Sequence, residues 1–368
     1  LPPSTLNAYL PWLEQHFPEL FRRLQFQKRE FGRFPEDAHL SRWVSTRTVD
    51  FLRQHDRSRP FFCYASFFDP HDPYNDSPES VAPLVRQSMV PSPVPAPESW
   101  ESMPTGLRRE HEHGYLGAFA SYEKRQIHEM RVGYYASVAF MDQEVGRILA
   151  ALEELRYAEE TLVLFTSDHG DMLGDHGLLA KGAFFYEPCV KVPLIIRAPR
   201  VITPGTVCDD IVQGCDVAAT MLAAAGFDEP ARGRLMPDSR DLVDTATGRR
   251  PTHNQTNAHS GAADRAAICL YRGTSICDTK EYFDPPINAG MYRFRDYKLN
   301  LYFSDIDRGS DSPGQLFNLG RDPNELNNLW WNQAYSDVKT DLVLRFAAEL
   351  NQMDLRYNSS RGGQHFPP

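Results

Sequence analysis

Thr161-Leu162-Val163-Leu164-Phe165-Thr166-Ser167-Asp168-His169-Gly170 is a short apolar run that ends in a carboxylate, an imidazole and a glycine. Four apolar residues in succession, bounded by threonines, read as a strand covered on both faces, the pattern of a sheet flanked by helices. In an open α/β sheet, ligands bind beyond the carboxyl ends of the strands, and Asp168 and His169 fall there. A carboxylate beside an imidazole suits a divalent cation, with the hard oxygen favouring Ca²⁺, Mg²⁺ or Mn²⁺. The same dipeptide also suits a plain turn, with Asp168 capping the next segment and His169 incidental.

The residues that follow extend the reading. Gly170, Gly174, Gly177 and Gly182 punctuate a loop that carries Asp171, Asp175, His176 and Lys181. Such glycines let a backbone approach a ligand closely. Lys181 could supply a compact charge to a sulfate or phosphate oxygen, or it could stand as a solvated surface lysine.

Outward from this loop, strands and helices alternate. Ile127 to Leu155 places Tyr134, Val138, Met141, Val145, Ile148, Leu149 and Leu152 on one helical stripe. Val192 to Arg197 reads as a second buried strand, and Asp216 to Ala225 as a helix stopped by Gly226. Earlier, Pro11 to Arg23 and Asp37 to Leu52 repeat the helical spacing, and Phe61 to Phe68 is another strand-like apolar run. Asp76 to Gly114, with seven prolines, reads as an irregular excursion of the kind that covers sites. The expectation is an α/β fold: a mostly parallel central sheet with helices on both faces.

From Asp238 to Asp264 the chain turns polar, which sets an expected boundary between a domain over 1–250 and a smaller one over 265–368. In the latter, Ala267 to Tyr271, Met291 to Phe294 and Tyr297 to Phe303 read as strands and Tyr335 to Met353 as a helix. These predict a small antiparallel sheet with one helix laid against it.

Composition narrows the function classes. The 368 residues carry 39 Lys and Arg against 49 Asp and Glu, a net charge of -10 with no long basic run, which excludes a nucleic-acid partner. No apolar stretch approaches the roughly 20 residues that cross a bilayer. Attraction of a small anion must therefore come from local cations. Cys63, Cys189, Cys208, Cys215, Cys269 and Cys277 form no close zinc or redox pairs and read as buried thiols, with disulfides between Cys208 and Cys215 or Cys269 and Cys277 left open. The opening Leu1 to Ser4 lacks the basic head and apolar stretch of a signal peptide, as if an upstream part had been removed.

Several stretches together carry a resemblance. Ser167-Asp-His-Gly-Asp-Met-Leu-Gly-Asp-His-Gly177 is followed by Lys181-Gly, Tyr186-Glu-Pro and Val192-Pro-Leu-Ile-Ile. Upstream stand Ser66-Phe-Phe-Asp-Pro-His-Asp-Pro-Tyr74 and the run from Tyr134 to Leu149. Downstream come Tyr297-Lys-Leu and Gln315-Leu-Phe-Asn-Leu-Gly-Arg-Asp-Pro-Asn-Glu. In this order they resemble the sulfatase family, from about Phe61 to Trp330, and so imply an alkaline-phosphatase-like fold.

The resemblance implies roles position by position. Asp168 and His169 match the metal pair, where many members carry Asn in place of His169. Lys181 matches the lysine on the transferred group's oxygens, and His71 the histidine that binds that group and protonates the departing alcohol. His71 has support of its own, since Pro70 and Pro73 stiffen its loop and Asp69 and Asp72 would favour its charged form if close. The expected cofactors are one divalent ion, Ca²⁺ first, with Mn²⁺ or Mg²⁺ as alternatives, and a formylglycine made from a C/S-x-P-x-R motif. That motif is missing from this chain. The nearest string, Ser102-Met-Pro-Thr-Gly106, has glycine in the arginine position and follows His71, so it is rejected. Glu110-His-Glu-His113 is read as a solvated charged run and Trp330-Trp331 as an apolar anchor.

The reading is thus part of a hydrolase whose complete form cleaves a sulfate monoester of a small molecule or carbohydrate. The alternatives are a phosphonate monoester or phosphodiester hydrolase of the same fold, and an inactive fragment or binding module.

Overall fold

The computed structural model describes residues 7–26, 34–249, 265–275, 282–307, 309 and 313–360. The chain forms two compact units, Leu1–Pro93 with Ser121–Thr161, and Val94–Ala120 with Leu162–Pro368. The composition change taken as a domain boundary lies largely in 250–264, outside the described residues.

The first unit is helical. α1 (Tyr9–His16) and α2 (Pro18–Phe26) meet at Pro18, which opens α2 because its missing N–H costs nothing in the first turn. Leu13 of α1, wholly buried, packs with Phe34 and Ala38 ahead of α3 (Leu40–Gln54). The excursion expected to be irregular contains a true helix, α4 (Thr105–His113), which belongs to the second unit. The long α5 (Lys124–Glu154) then packs on α3 in the first unit. Fully buried Glu144 accepts the Ser45 hydroxyl and lies 2.7 Å from Nη1 of Arg147, so its charge is paired inside the helix interface. Gly133 of α5 lets the chain at Tyr74 come close, since a Cβ there would sit 1.8 Å from the Tyr74 carbonyl oxygen.

Phe61 to Phe68, expected as a strand, joins no ladder among the described residues. Phe62, Tyr64 and Phe68 remain 70%, 77% and 53% exposed. An apolar run reports a tendency to be covered, but a strand needs a partner for its backbone groups.

In the second unit β1 (Val163–Thr166) pairs with β2 (Leu194–Arg197), Val163 opposite Arg197 and Thr166 opposite Leu194. Both strands were expected in a mostly parallel sheet, yet this pair is antiparallel. A parallel return needs a crossover, usually a full helix. The connection here instead folds back on itself, with Met172 N–H on the Ala180 carbonyl at 2.9 Å, and holds a 3-10 turn (Asp175–Gly177) and the one-turn α6 (Glu187–Val190). Three short helices follow: α7 (Asp216–Ala224), ended as expected near left-handed Gly226, α8 (Glu229–Leu235) and α9 (Leu242–Ala246).

The C-terminal part is the antiparallel sheet that was expected. β3 (Ala266–Ser275), β4 (Tyr282–Phe294), β5 (Tyr297–Tyr302) and β6 (Gly314–Asn318) lie in that order, with α10 (Phe303–Asp307) after β5. α11 (Ser336–Ser360) sends Leu342 and Phe346 into a core with Tyr292, Leu299, Leu316 and Trp330. Trp330 is the anchor foreseen, whereas Trp331 is 61% exposed. A second core joins Ile287, Met291, Tyr302 and Phe317 of this sheet to Met172, Leu178, Phe184 and Tyr186 of the glycine-rich loop, and to Leu107 of α4. The sheet is thus the seat of the loop that carries the predicted site.

Of the cysteines read as buried, only Cys189 is buried; Cys63, Cys208 and Cys215 are exposed and Cys269 intermediate, all as free thiols. Cys208 and Cys215 therefore form no disulfide, and Cys277 lies outside the described residues.

Candidate active site

In the second unit the backbone leaves β1 at Thr166 and presents Asp168 and His169 one turn later. Asp168 accepts the backbone N–H of His169 at 2.9 Å through Oδ1, and its Oδ2 stands 3.7 Å from Nε2 of His169. Nδ1 of His169 is 2.7 Å from the Gly170 carbonyl oxygen, so it carries the proton and donates. In the neutral ring Nε2 then keeps its lone pair, the tautomer a metal ligand requires. Slight burial pushes the Asp168 carboxyl up, but His169 and hydrogen bonds from the backbone and Ser167 outweigh it, and the group ends below the ordinary carboxylate range. With its side chain 85% exposed, Asp168 is ionised and accessible, as a cation ligand must be. This donor set fits a divalent cation.

The loop is fixed from behind by polar groups to which the sequence reading gave no role. Gly170 donates to the Cys189 carbonyl at 2.7 Å, and a Cβ at Gly170 would lie 2.0 Å from the Pro188 carbonyl oxygen. Asp175 Oδ1 accepts from Val94 N–H at 2.8 Å, while His176 stacks on Tyr186 with ring centres 3.9 Å apart. Burial, with Lys298 nearby, brings His176 down to about 4, so it is a neutral group packed on Tyr186. Asp175 and His176 therefore brace the loop.

The Glu110 to His113 run is also corrected. It is the last turn of α4, and Glu110 is buried, accepting from Ala183 N–H at 2.8 Å. Burial drives its carboxyl up to about 7 against that hydrogen bond. His111 stacks on Trp100 at 3.9 Å, with Nδ1 2.7 Å from the Gly177 carbonyl oxygen. The charged letters hid these contacts because their partners lie far along the chain. The rejected Ser102 to Gly106 string has a structural part too: the Ser102 hydroxyl donates to Ser99 O at 3.0 Å, and Gly106 packs against Ile287. Lys181 lies past the folded-back segment, half-buried, with Nζ 5.5 Å from the centre of the Tyr115 ring.

His71 belongs to the first unit. Nδ1 is 2.9 Å from the Asp72 carbonyl oxygen and 3.1 Å from Asp72 Oδ1, and the ring leans on Phe68. Both neighbours of Nδ1 are acceptors, so Nδ1 carries a proton and the ring is oriented by it. Of the two aspartates beside it in sequence, Asp72 is thus the one that lies against His71 Nδ1. The Asp69 carboxylate turns instead to the Ser41 hydroxyl and to His39. The four predicted residues are therefore carried by two units, His71 by the first and Asp168, His169 and Lys181 by the second.

Comparison with known proteins gives this geometry a context. The sequence model of the family described as Sulfatase matches residues 13–227. An arylsulfatase of Clostridium perfringens is 29% identical over 315 residues, covering 83% of this chain and 56% of that protein. An N-acetylglucosamine-6-O-sulfatase of Bacteroides thetaiotaomicron is 28% identical over 256 residues, 68% of this chain and 41% of that one. The crystal structure of the phosphonate monoester hydrolase of Agrobacterium radiobacter superposes with a TM-score of 0.67 at 20% identity, covering 94% of this chain and 69% of that one, and so shares the fold. The chain spans about half the length of the curated relatives it matches.

Proposed function

This chain belongs to the sulfatase family, and on that premise we propose that it forms part of a hydrolase of sulfuric ester bonds acting on a small-molecule or carbohydrate sulfate monoester. The observation that carries the reading is the Asp168 and His169 pair at the end of β1, with Nε2 of His169 left open by the Nδ1 contact to Gly170. The named activities of the arylsulfatase and N-acetylglucosamine-6-O-sulfatase relatives support the ester class.

Asp168 and His169 would hold one divalent ion, Ca²⁺ first, with Mn²⁺ or Mg²⁺ as alternatives, which when bound supplies Lewis-acid polarisation of an oxygen of the transferred group. Lys181 would neutralise charge on the remaining oxygens as it develops. His71, held at Nδ1 by Asp72, would donate a proton from Nε2 to the leaving alcohol. Formylglycine has no source among these 368 residues, and no step is assigned to it in this chain.

His169 favours a second reading, hydrolysis of phosphonate monoesters or phosphodiesters, because an imidazole stands where many sulfatases carry Asn. The test is hydrolysis of matched aryl sulfate, phosphonate monoester and phosphodiester substrates by this chain and by the product of its complete coding sequence, in Ca²⁺ and in Mn²⁺. Metal-dependent turnover lost in Asp168→Ala supports the reading, and the preferred ester chooses between the two. Absence of metal-dependent turnover in both proteins would overturn it in favour of a binding module.

A further inference from the structure

Lys181 sits between two anchored residues of the second unit. On one side the Ala180 carbonyl accepts the Met172 N–H at 2.9 Å, with Ala180 in the left-handed region at φ 52°. On the other, Ala183 is gripped at both backbone atoms: its N–H donates to Glu110 Oε1 at 2.8 Å, and its carbonyl accepts the Tyr302 hydroxyl at 3.0 Å. Gly182 stands between, and a Cβ there would lie 2.5 Å from Glu110 Cδ and Oε1. The carboxyl thus fills the space that a side chain at 182 would need.

The same stretch of chain supplies a contact to the lysine itself. Glu110 stands in the last turn of α4, and the chain leaves that helix by a tight turn in which Gly117, at φ 98°, donates to the Gly114 carbonyl at 2.8 Å. That turn carries Tyr115, whose ring centre lies 5.5 Å from Lys181 Nζ, a range at which an ammonium is drawn to the ring face. A lysine has a flexible four-carbon stem, so one that must meet an oxyanion needs its backbone and its head fixed separately. Glu110 serves the first need and Tyr115 the second. The Glu110 carboxyl, raised to about 7 by burial, lowers stability as pH climbs toward that value. Stability does not account for a buried acid here; its hold on Ala183 does.

We propose that α4 and its exit turn position Lys181, Glu110 by holding the backbone after it and Tyr115 by orienting its ammonium. The inference rests on the role proposed for Lys181 at the oxygens of the transferred group. Both are positioning residues, acting through the lysine and not on the ester.

The test reads the lysine directly. In the full chain, lysines are reductively methylated with isotope-labelled formaldehyde, which keeps their charge, and the Lys181 magnetic-resonance signal is the one missing from Lys181→Met. The expected result is a Lys181 methyl signal displaced from those of exposed lysines by the tyrosine ring, and returned to their position in Tyr115→Leu. Glu110→Ala removes the hold on Ala183 and Gly182→Ala pushes the carboxyl away from it, so each should also return the signal. Glu110→Gln keeps an acceptor for Ala183 N–H and should leave it displaced. In the product of the complete coding sequence, Gly182→Ala should lower kcat/KM by up to ~100-fold, the cost of a misplaced group, and add no further loss to Lys181→Met. An undisplaced Lys181 signal in the parent, or one still displaced in Gly182→Ala or in a folded Glu110→Ala, overturns the positioning. Wild-type kinetics in Lys181→Met would overturn the role given to Lys181, and the signal, which does not depend on turnover, separates that failure from this one.

Discussion

Replacing Lys298 by methionine isolates the contact that seats the glycine-rich loop on the C-terminal sheet. Lys298 in β5 has no solvent exposure. Its ammonium donates to the Phe185 carbonyl at 2.8 Å and to Glu187 Oε1 at 2.9 Å, and pairs with Glu325 Oε1 at 2.6 Å. Burial raises both carboxyls; at Glu187 the cations Lys298 and Arg293 prevail and hold it low, whereas at Glu325 burial prevails. Methionine nearly conserves the volume, so what is lost is mainly charge. Glu187 keeps Arg293 at 3.3 Å, but Glu325 is left buried without its cation. Breaking a buried pair from one side costs about 3–5 kcal/mol, and the retained Arg293 contact argues for the lower end.

The sign with pH follows from Glu325. Without Lys298 its folded pKa rises further above the unfolded value of about 4.3. Stability is then lost as pH climbs from the unfolded toward the folded pKa, and Lys298→Met should be weakest at pH 8 and recover toward pH 5. At about 2–4 °C per kcal/mol, a loss near 3 kcal/mol lowers the thermal midpoint by roughly 6–12 °C at pH 8. Unfolding curves at the two pH values decide the matter. A shift under ~2 °C at both would show that the buried network carries little of the seating, and would refute the reasoning.

Three further outcomes follow from neighbouring contacts. Gly170→Ala drives a Cβ to 2.0 Å from the Pro188 carbonyl oxygen, and overpacking of that kind costs about 1–3 kcal/mol. Because the displaced backbone carries Asp168 and His169, metal affinity measured by calorimetry should fall together with the melting point. Glu110→Gln keeps an acceptor for Ala183 N–H but removes a buried carboxyl raised to about 7. The native protein holds that proton longer than the unfolded chain, so Glu110 withdraws stability between about pH 4.3 and its folded value. The variant's stability should therefore run flatter from pH 5 to 8 and exceed the parent at pH 8; parallel curves would count against the raised carboxyl. Lys181→Met should lower kcat/KM at least ~100-fold on the preferred ester with an unchanged melting point, the loss typical of a group that stabilises developing oxyanion charge. Wild-type kinetics in Lys181→Met would return Lys181 to the solvated surface.

What the sequence made legible is what it encodes within one element. The stripe from Tyr134 to Leu152 stands on α5, and the apolar run into Thr166 on β1, because helical and strand spacing are local properties. The direction of β2 was not local. It depends on Met172 to Ala180 folding back, and that fold rests on left-handed residues such as Leu173, His176 and Ala180, types that give no hint of it. β6 escaped notice for a similar reason: Gly314-Gln-Leu-Phe-Asn318 is all buried, yet it is covered by partners such as Tyr186, whose hydroxyl receives the Gln315 amide at 2.9 Å. Asp168 and His169 were visible because they adjoin in sequence. The contact of His39 with Asp69 was not, since residues far apart along the chain must come together before their atoms meet.

The polar groups of the loop also divide by exposure in a way that bears on its chemistry. Asp175 and His176 turn inward and Glu110 meets the loop from behind, spending their polar atoms on backbone groups or on ring stacking. Asp168 turns outward, and His169 keeps Nε2 open beside it. A loop with five left-handed positions, and glycines beside them, would be soft without the inner set, because glycine widens the conformations available to the unfolded chain. Holding a ligand pair to the sub-ångström tolerance that metal chemistry needs requires its support to be rigid before the ion arrives. The inner residues supply that rigidity, which is why an aspartate and histidine at Asp175 and His176 can mimic the proposed ligand pair at Asp168 and His169 in sequence while serving the opposite purpose.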